Sequence, residues 1–233
     1  LEKIEICIDI LKNARNELYL SMRFFDVILS GFEFRPDTKI SGMRTDGFTV
    51  YFYPDYLIGL DQKTPVQVNR AYLHMIFHCL FGHLKQPDHA EEQYWNLACD
   101  IVVESIIDEL NEHSVRKYVP PYRKGVYQKL REKMEVLTPK GVYWELLGMH
   151  LEEEQFGKMQ EEFFVDDHVL WNENVSPEKC IEREKKWKEQ NEKLQTEMET
   201  FSKEASENAE NILNQVQIEN RNRYDYRKVL EKV

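Results

Sequence analysis

Two histidines with the spacing of a shared metal site lie in the first half of the chain. His74 and His78 are four residues apart in the stretch His-Met-Ile-Phe-His. Side chains at positions i and i+4 of a helix lie on one face within about 6 Å of each other, close enough to bind a single ion. The same pattern also fits two core histidines that are hydrogen-bonded to a carboxylate, so the spacing leaves both interpretations open.

Carboxylates that could complete such a site follow in the next apolar stretch. A catalytic zinc ion takes a third protein ligand, often a carboxylate, and keeps one position for water. Asp100 is the preferred third ligand, and Glu104 lies one helical turn further on as an outer group or a substitute ligand. A short turn between two helices would form a hairpin and bring Asp100 beside His74. The residues therefore predict a zinc site of His74, His78 and Asp100.

Two other histidines are weaker candidates for this site. His83 would lie opposite His74 on a continuous helix, because nine residues at about 100° each amount to two and a half turns. We expect it to be a surface histidine that follows the end of the helix at Gly82. His168, in the stretch Asp-Asp-His-Val-Leu-Trp, could close over the site as a fourth ligand or a substrate contact. The alternative for His168 is a polar loop anchored by Trp171.

The elements that must position these residues are predicted from the apolar pattern. Val66 to Leu84 and Glu91 to Leu110 are expected to be two buried helices, separated by a break at Pro87. Phe48 to Tyr53 is β-branched and aromatic, so we expect a strand, with a possible partner between Pro36 and Ile40.

The rest of the chain is predicted to be mostly helical. Residues 3–29 carry one apolar stripe, and Thr138 and Ser176 each precede a proline as helix caps. The acidic stretch from Glu152 to Glu162 is expected to be a solvated face or a mobile loop. A last short helix is expected from Tyr226 to Leu230.

Composition excludes several classes of function. The chain has 233 residues with 42 acidic and 31 basic side chains, and the resulting net charge of −11 disfavours nucleic acid as a partner. It has no apolar run near the ~20 residues that cross a bilayer and no signal-peptide pattern at its start. The four cysteines show no pairing pattern, which is typical of a reduced cytoplasmic protein. Cys79 and Cys99 are expected to be buried apolar residues, with Cys99 the better alternative soft ligand.

At these residues the chain resembles the bacterial putative-metallopeptidase domains that are found N-terminal to VWA-like domains, often together with a MoxR-type AAA ATPase. That family has a Thr-Asp-Gly-like turn before an aromatic strand, a His-Glu-x-x-His helix, and a helix similar to Trp-Asn-x-Ala-x-Asp. The matching stretches here begin at Thr45, His74 and Trp95, and the stretches beginning at Asp167 and Tyr224 are also similar.

The resemblance implies a predominantly helical α+β fold with a zincin-like helix hairpin, a small β-sheet and long C-terminal helices. Residues 1–233 would form one domain, in which 45–110 are the metal-site core. Residues 176–233 would be a C-terminal helical extension leading to a VWA-like domain that this chain does not include. The strand from Phe48 to Tyr53 would then be either the edge along which zincins bind an extended peptide or a plain half-buried strand.

One departure from the family pattern governs the predicted function. The glutamate that follows the first histidine in the family is Met75 here. In such peptidases that glutamate takes a proton from the zinc-bound water, and losing a general base costs about 10²–10⁴-fold in rate. We therefore expect a metal-binding but non-hydrolytic module that interacts with a peptide segment, the VWA-like domain or the ATPase. The alternatives are an active peptidase with Glu104 as substitute base and a metal-free helical scaffold.

Overall fold

The computed structural model describes residues 2–171, 176–201, 212 and 214–218. Over these residues the chain is predominantly helical with one small sheet, which confirms the expected α+β class. The sequence similarity at Tyr224 and the helix expected from Tyr226 to Leu230 lie outside the described residues. The helices are α1 (Glu2–Ser21), α2 (Asp26–Leu29), α3 (Pro54–Lys63), α4 (Pro65–Phe81), α5 (Glu92–Glu109), α6 (Pro121–Arg131), α7 (Pro139–Gly148), α8 (Glu153–Phe163) and α9 (Pro177–Phe201), and the strands are β1 (Glu33–Pro36), β2 (Met43–Thr45) and β3 (Thr49–Phe52).

The two helices of the expected hairpin, α4 and α5, begin and end within a few residues of their predicted bounds. Proline in the first turn suits the start of α4, because its missing N–H would have no partner there. Gly82 ends α4 in the left-handed conformation with φ of 67°. Fourteen residues of α4 are buried, so this helix runs through the interior of the fold.

The three strands form a sheet of order β1-β3-β2, in which β1 pairs with β3 in parallel and β2 pairs with β3 in antiparallel register. The predicted strand is therefore the central one, and the idea that it is an edge strand for a bound peptide is wrong. Its partners are Glu33–Pro36 and Met43–Thr45, so the partner expected between Pro36 and Ile40 lies earlier in the chain and overlaps that segment at Pro36. The β1–β3 pairing joins residues as far apart in sequence as Glu33 and Thr49, which the pattern of the strand alone does not contain.

Two helical segments differ from expectation. The first helix ends at Ser21, because the next residue, Met22, leaves helical geometry with φ of −135° and ψ of 68°. Its apolar stripe continues beyond that break because the 3-10 turn Arg23–Phe25 and α2 pack into the same core. The acidic stretch is neither a loop nor fully solvated: α8 buries Phe156, Met159 and Phe163.

Helix α9 forms hydrogen bonds with both the hairpin and the sheet. The side chain of Asn191 donates to the carbonyl oxygen of Leu80 at 2.8 Å, and Arg183 donates to that of Leu84 at 3.0 Å. The indole of Trp187 donates to the carbonyl oxygen of Gly47, which occupies the β2–β3 turn, at 2.8 Å. This surface helix therefore holds the end of α4 and the turn before β3 in a fixed relation.

The buried apolar side chains form one continuous cluster from Cys7 to Val216 in the described part of the chain. Cys7, Cys79 and Cys99 are buried within it as thiols rather than disulfides, and burial was expected for Cys79 and Cys99. Within the same described residues, every helix is too short or too polar to cross a bilayer.

Candidate metal centre

The two histidines of α4 face each other in the interior. The Nε2 atoms of His74 and His78 lie 2.7 Å apart, and both side chains are completely buried. Their four-residue spacing puts them on the face of α4 that meets α5. The hairpin thus brings two imidazole nitrogens to one point, as the sequence predicted.

Asp100 reaches the same point from α5. Its Oδ1 atom lies 3.3 Å from Nε2 of His74 and 3.2 Å from Nε2 of His78. The carboxylate is 6% exposed, so it is almost fully withdrawn from solvent. The three residues that the spacing singled out are therefore side by side in the fold.

The segment from Asp166 to His168 brings two further donor groups. Nε2 of His168 lies 3.2 Å from Oδ1 of Asp100 and 3.2 Å from Oδ1 of Asp166. Oδ1 of Asp166 is in turn 3.3 Å from Nε2 of His74. Sequence reasoning included His168 as a possible ligand but missed Asp166. The Asp-Asp-His cluster itself was the available signal.

The five donor atoms lie close enough together to surround one ion. One ligand atom from each of His74, His78, Asp100, Asp166 and His168 lies within 4.8 Å of all the others. A tetrahedral ion with bonds of 2.0–2.1 Å separates neighbouring ligand atoms by about 3.3 Å, and most neighbouring distances here are 3.2–3.3 Å. Imidazole and carboxylate suit zinc and other first-row divalent metals.

Asp166 also has a polar atom that nothing described in the structure satisfies. Its Oδ2 is buried and has no hydrogen-bond partner among the described residues. Leaving a buried carboxylate oxygen unpaired is costly, and a bound cation would remove that cost. The residues present therefore fit a metal ion.

Glu104 lies behind His74 and outside the group of five donors. Its Oε1 is 2.9 Å from Nδ1 of His74, the ring nitrogen that faces away from the other histidines. Its Oε2 accepts hydrogen bonds from Arg70 at 2.7 Å and from Arg123 at 2.5 Å. Carboxylates that hold the second nitrogen of a ligating histidine fix its tautomer and orientation. The structure thus places Glu104 as an orienting group.

His83 does not have the predicted surface position. It is 2% exposed, and its Nδ1 lies 3.0 Å from Nδ1 of His78. The helix does end at Gly82 as expected, but the end of the helix does not release His83 to the surface. Gly82 instead turns the chain, and the residue after it returns to the face that carries His78.

The three central histidines differ in their proton affinity. Burial lowers the pKa of His74, but hydrogen bonds with Asp100 and Asp166 outweigh it and hold that pKa well above its usual value. For His168, burial again acts downward, while the charges of the same two carboxylates raise the pKa to about 9. Burial and the neighbouring His74 lower the pKa of His78 to about 4. At neutral pH the metal-free site therefore carries two imidazolium protons.

The two carboxylates balance those protons. Burial acts to raise the pKa of Asp100 and of Asp166, but the positive charge of His168 and the surrounding hydrogen bonds lower both below their usual range. Two carboxylates against two imidazolium groups give a neutral cluster. A divalent cation that displaced the two protons would leave this charge unchanged, which favours such an ion in a buried site.

Met75 and Glu104, the two residues considered for the general base, are poorly suited to that role. Met75 follows the first histidine, is completely buried and has no proton to exchange. Burial raises the pKa of Glu104, but the hydrogen bond with His74 and the charge of Arg70 hold that pKa far below its usual value. A general base works best with a pKa near the operating pH. Glu104 is therefore badly suited to the role of substitute base.

A groove connects the cluster to solvent. It has a volume of about 650 Å³ and is lined by Asn96, Asp100, Gln160 and Phe164, together with the residues from Asp166 to Val169. Because Asp100 and Asp166 form part of its wall, a small cation could reach the donor atoms without unfolding of the hairpin.

A family model described as a putative metallopeptidase domain matches residues 9–217 of the chain. No curated protein and no solved structure matches the chain. The matched region includes all five donor residues, Glu104 and both helices of the hairpin.

Proposed function

We propose, on the premise that this chain belongs to the putative metallopeptidase domain family, that it is a metal-binding module that has lost peptide hydrolysis. The metal is zinc in this proposal. Its ligands are His74, His78 and Asp100, with Asp166 and His168 added from the segment before α9. The module serves as an interaction domain of a larger protein.

The convergence of five buried donor atoms carries the metal-binding part of this proposal. Buried carboxylates and imidazoles without an ion must satisfy one another by sharing protons, and one oxygen of Asp166 remains unpaired even so. A divalent ion satisfies all five groups at once. When bound, it would act as a Lewis acid toward any group that gained access to it.

The loss of hydrolysis rests on two residues. Met75 stands where the related motif has its base, and Glu104 is fully engaged by His74 and two arginines. Without a base, a metal-bound water would lack the group that removes its proton and delivers it to the leaving amine. The chain would therefore keep the shape and the ion of a metallopeptidase and lose its reaction.

The partners in this proposal come from the resemblance to domains that accompany VWA-like domains and MoxR-type AAA ATPases. A VWA-like domain in the same protein and such an ATPase are the proposed partners, with a peptide segment as a further ligand. Co-expression of the chain with each partner, followed by size-exclusion chromatography, tests this: a shared peak supports the interaction, and separate peaks at micromolar concentration contradict it.

Metal content is the deciding measurement. Protein purified without chelators or a histidine tag, then analysed by elemental mass spectrometry, should contain about one zinc per chain. His78→Ala should lose it, and the exposed histidine variant His113→Ala should keep it. No metal in the wild type after zinc is added and the excess removed would leave the metal-free scaffold as the function.

A peptidase assay separates the two metal-binding alternatives. Zinc-loaded wild type should not cleave a mixed peptide library. Cleavage that disappears on chelation and in Glu104→Gln would instead establish an active peptidase with a substitute base.

A further inference from the structure

We propose that the segment Asp166–His168 is a built-in ligand that occupies the outer edge of β2 and closes the metal site. The inference rests on the proposed metal site and deepens it. In this inference, Asp167 makes the backbone pairing that an extended substrate would make. Asp166 and His168 take the coordination position that a metal-bound water would occupy.

The outer edge of β2, next to the candidate metal site, is already paired with another segment of the chain. β2 pairs with β3 on one side, and on its other side the backbone N–H of Asp167 donates to the carbonyl oxygen of Met43 at 2.9 Å. Arg44 and Asp167 form a parallel bridge at the same place. A peptide that bound by strand addition would need these backbone groups. The chain itself supplies the added strand residue.

The alternation of an extended segment directs its side chains. Successive side chains of a strand point to opposite faces. Asp167 turns toward Arg44 and is one-third exposed, with 3.7 Å between Oδ2 and Nη1. Asp166 and His168, one residue to either side, turn inward to the donor cluster, and their side chains are 0% and 5% exposed. One backbone pairing thus delivers two ligands.

These two ligands exceed what a catalytic site would use. A catalytic zinc site has three protein ligands and an open position, and His74, His78 and Asp100 already supply three. Asp166 and His168 fill the sphere further, so little room is left for water or a substrate carbonyl oxygen.

The segment is held in place by its own continuation. The indole of Trp171 stacks on the imidazole of His168, with 3.7 Å between ring centroids and 17° between planes. Its backbone N–H donates to the carbonyl oxygen of His168 at 2.9 Å, and its ring also meets that of His78 edge-on at 4.8 Å. The ring of Trp171 therefore packs over both His78 and His168 and holds the segment closed over the site.

Removing the two side chains should open the ion to outside donors. The groove lined by Asn96, Gln160 and Phe164 ends at this segment. A small chelator with two oxygen donors, such as a hydroxamate, can take the two coordination positions that the carboxylate and the imidazole of the segment vacate. It should bind the ion only where the segment has lost those donors.

Cobalt substitution tests this directly, because the visible absorption of Co²⁺ intensifies as its coordination number falls. The proteins are the full chain, Asp166→Ala/His168→Ala, and the control Asp167→Asn, which keeps the backbone pairing. The probe is acetohydroxamate. Wild type and control should bind one Co²⁺ and show no change with the probe. The double variant should bind Co²⁺ at least about tenfold more weakly, absorb more strongly, and respond to the probe.

The following outcomes would contradict the inference or the proposed function. Equal responses of wild type and double variant to acetohydroxamate would overturn the inference, as would loss of all cobalt from a double variant that keeps its far-UV circular dichroism. If the double variant does not fold, His168→Ala replaces it, and an unresponsive, cobalt-loaded His168→Ala overturns the inference. Absence of cobalt from the wild type would refute the proposed function itself, which is a different outcome.

Discussion

Nδ1 of His74 lies 2.9 Å from Oε1 of Glu104, while Nε2 of the same ring faces His78, Asp100 and Asp166. One imidazole is thus held by a carboxylate on one side and directed at the candidate metal on the other. Glu104 is anchored in turn by Arg70 and Arg123. The orientation of the first histidine therefore depends on a buried ion network that extends to α6.

Glu104→Gln should weaken metal binding without abolishing it. The neutral amide holds Nδ1 of His74 less strongly, so we expect the zinc dissociation constant to rise about 10–100-fold. Buried Arg70 and partly buried Arg123 also lose the negative charge that they share, at a cost of at most about 3–5 kcal/mol. Glu162→Gln is the control, because Glu162 pairs with Arg123 and does not touch His74. Competition with a chromophoric chelator measures both, and equal affinities in the two variants would argue against an orienting role.

Met75→Glu should not restore hydrolysis. The side chain is completely buried, so a carboxylate there costs about 3–5 kcal/mol of unfolding free energy. The matched variant Met75→Leu should cost less than about 1.5 kcal/mol. Urea unfolding measures the difference. A Met75→Glu protein that is as stable as Met75→Leu and cleaves peptides would show that this position faces the ion after all.

Zinc binding should release about two protons at pH 7. His74 and His168 have raised pKa values and are protonated without metal, whereas His78, with a pKa of about 4, is not. Because both protons must leave, the apparent dissociation constant should fall up to about 100-fold per pH unit from pH 6 to 8. The effect should fade above pH 9, where His168 is deprotonated.

Calorimetry in buffers of different ionisation enthalpy counts those protons. His168→Gln is the control and should release about one fewer. An equal count in the wild type and His168→Gln would contradict the assigned protonation.

Gly47→Ala should lower stability and leave metal content unchanged. Gly47 has a φ of 88°, and an added Cβ would lie 2.6 Å from Cδ of Arg183 on α9. Left-handed geometry in a non-glycine residue costs about 1–3 kcal/mol. Gly59→Ala, in α3 with open space around its Cα, should be neutral or stabilising by up to about 1 kcal/mol. Thermal unfolding compares them, and equal melting temperatures would contradict the strain.

The hairpin was predictable because its signals are local. The apolar pattern of α4 and α5 indicated two buried helices, and the four-residue spacing put His74 and His78 on one face. Thr138 was expected to cap a helix, and its hydroxyl oxygen does accept a hydrogen bond from the backbone N–H of Gly141 in the first turn of α7. Each of these features needs only a few neighbouring residues.

The features that were missed depend on long-range pairing or on one backbone angle. Asp166 reaches the site because its neighbour pairs with β2, more than a hundred residues earlier in the chain. The central position of β3 depends on two partners, neither of which is visible in the strand itself. The buried place of His83 depends on the left-handed turn at Gly82. Spacing rules assume a regular element and fail where one ends.

The order of the donors along the chain has a consequence for how the ion arrives. His74, His78 and Asp100 leave the ribosome before Asp166 and His168 by several seconds, at about 5–20 residues per second. Helix hairpins form far faster than that. A nascent chain thus presents three of the five donors first and gains the other two later, so an ion can bind between α4 and α5 before the segment from Asp166 to His168 packs against it.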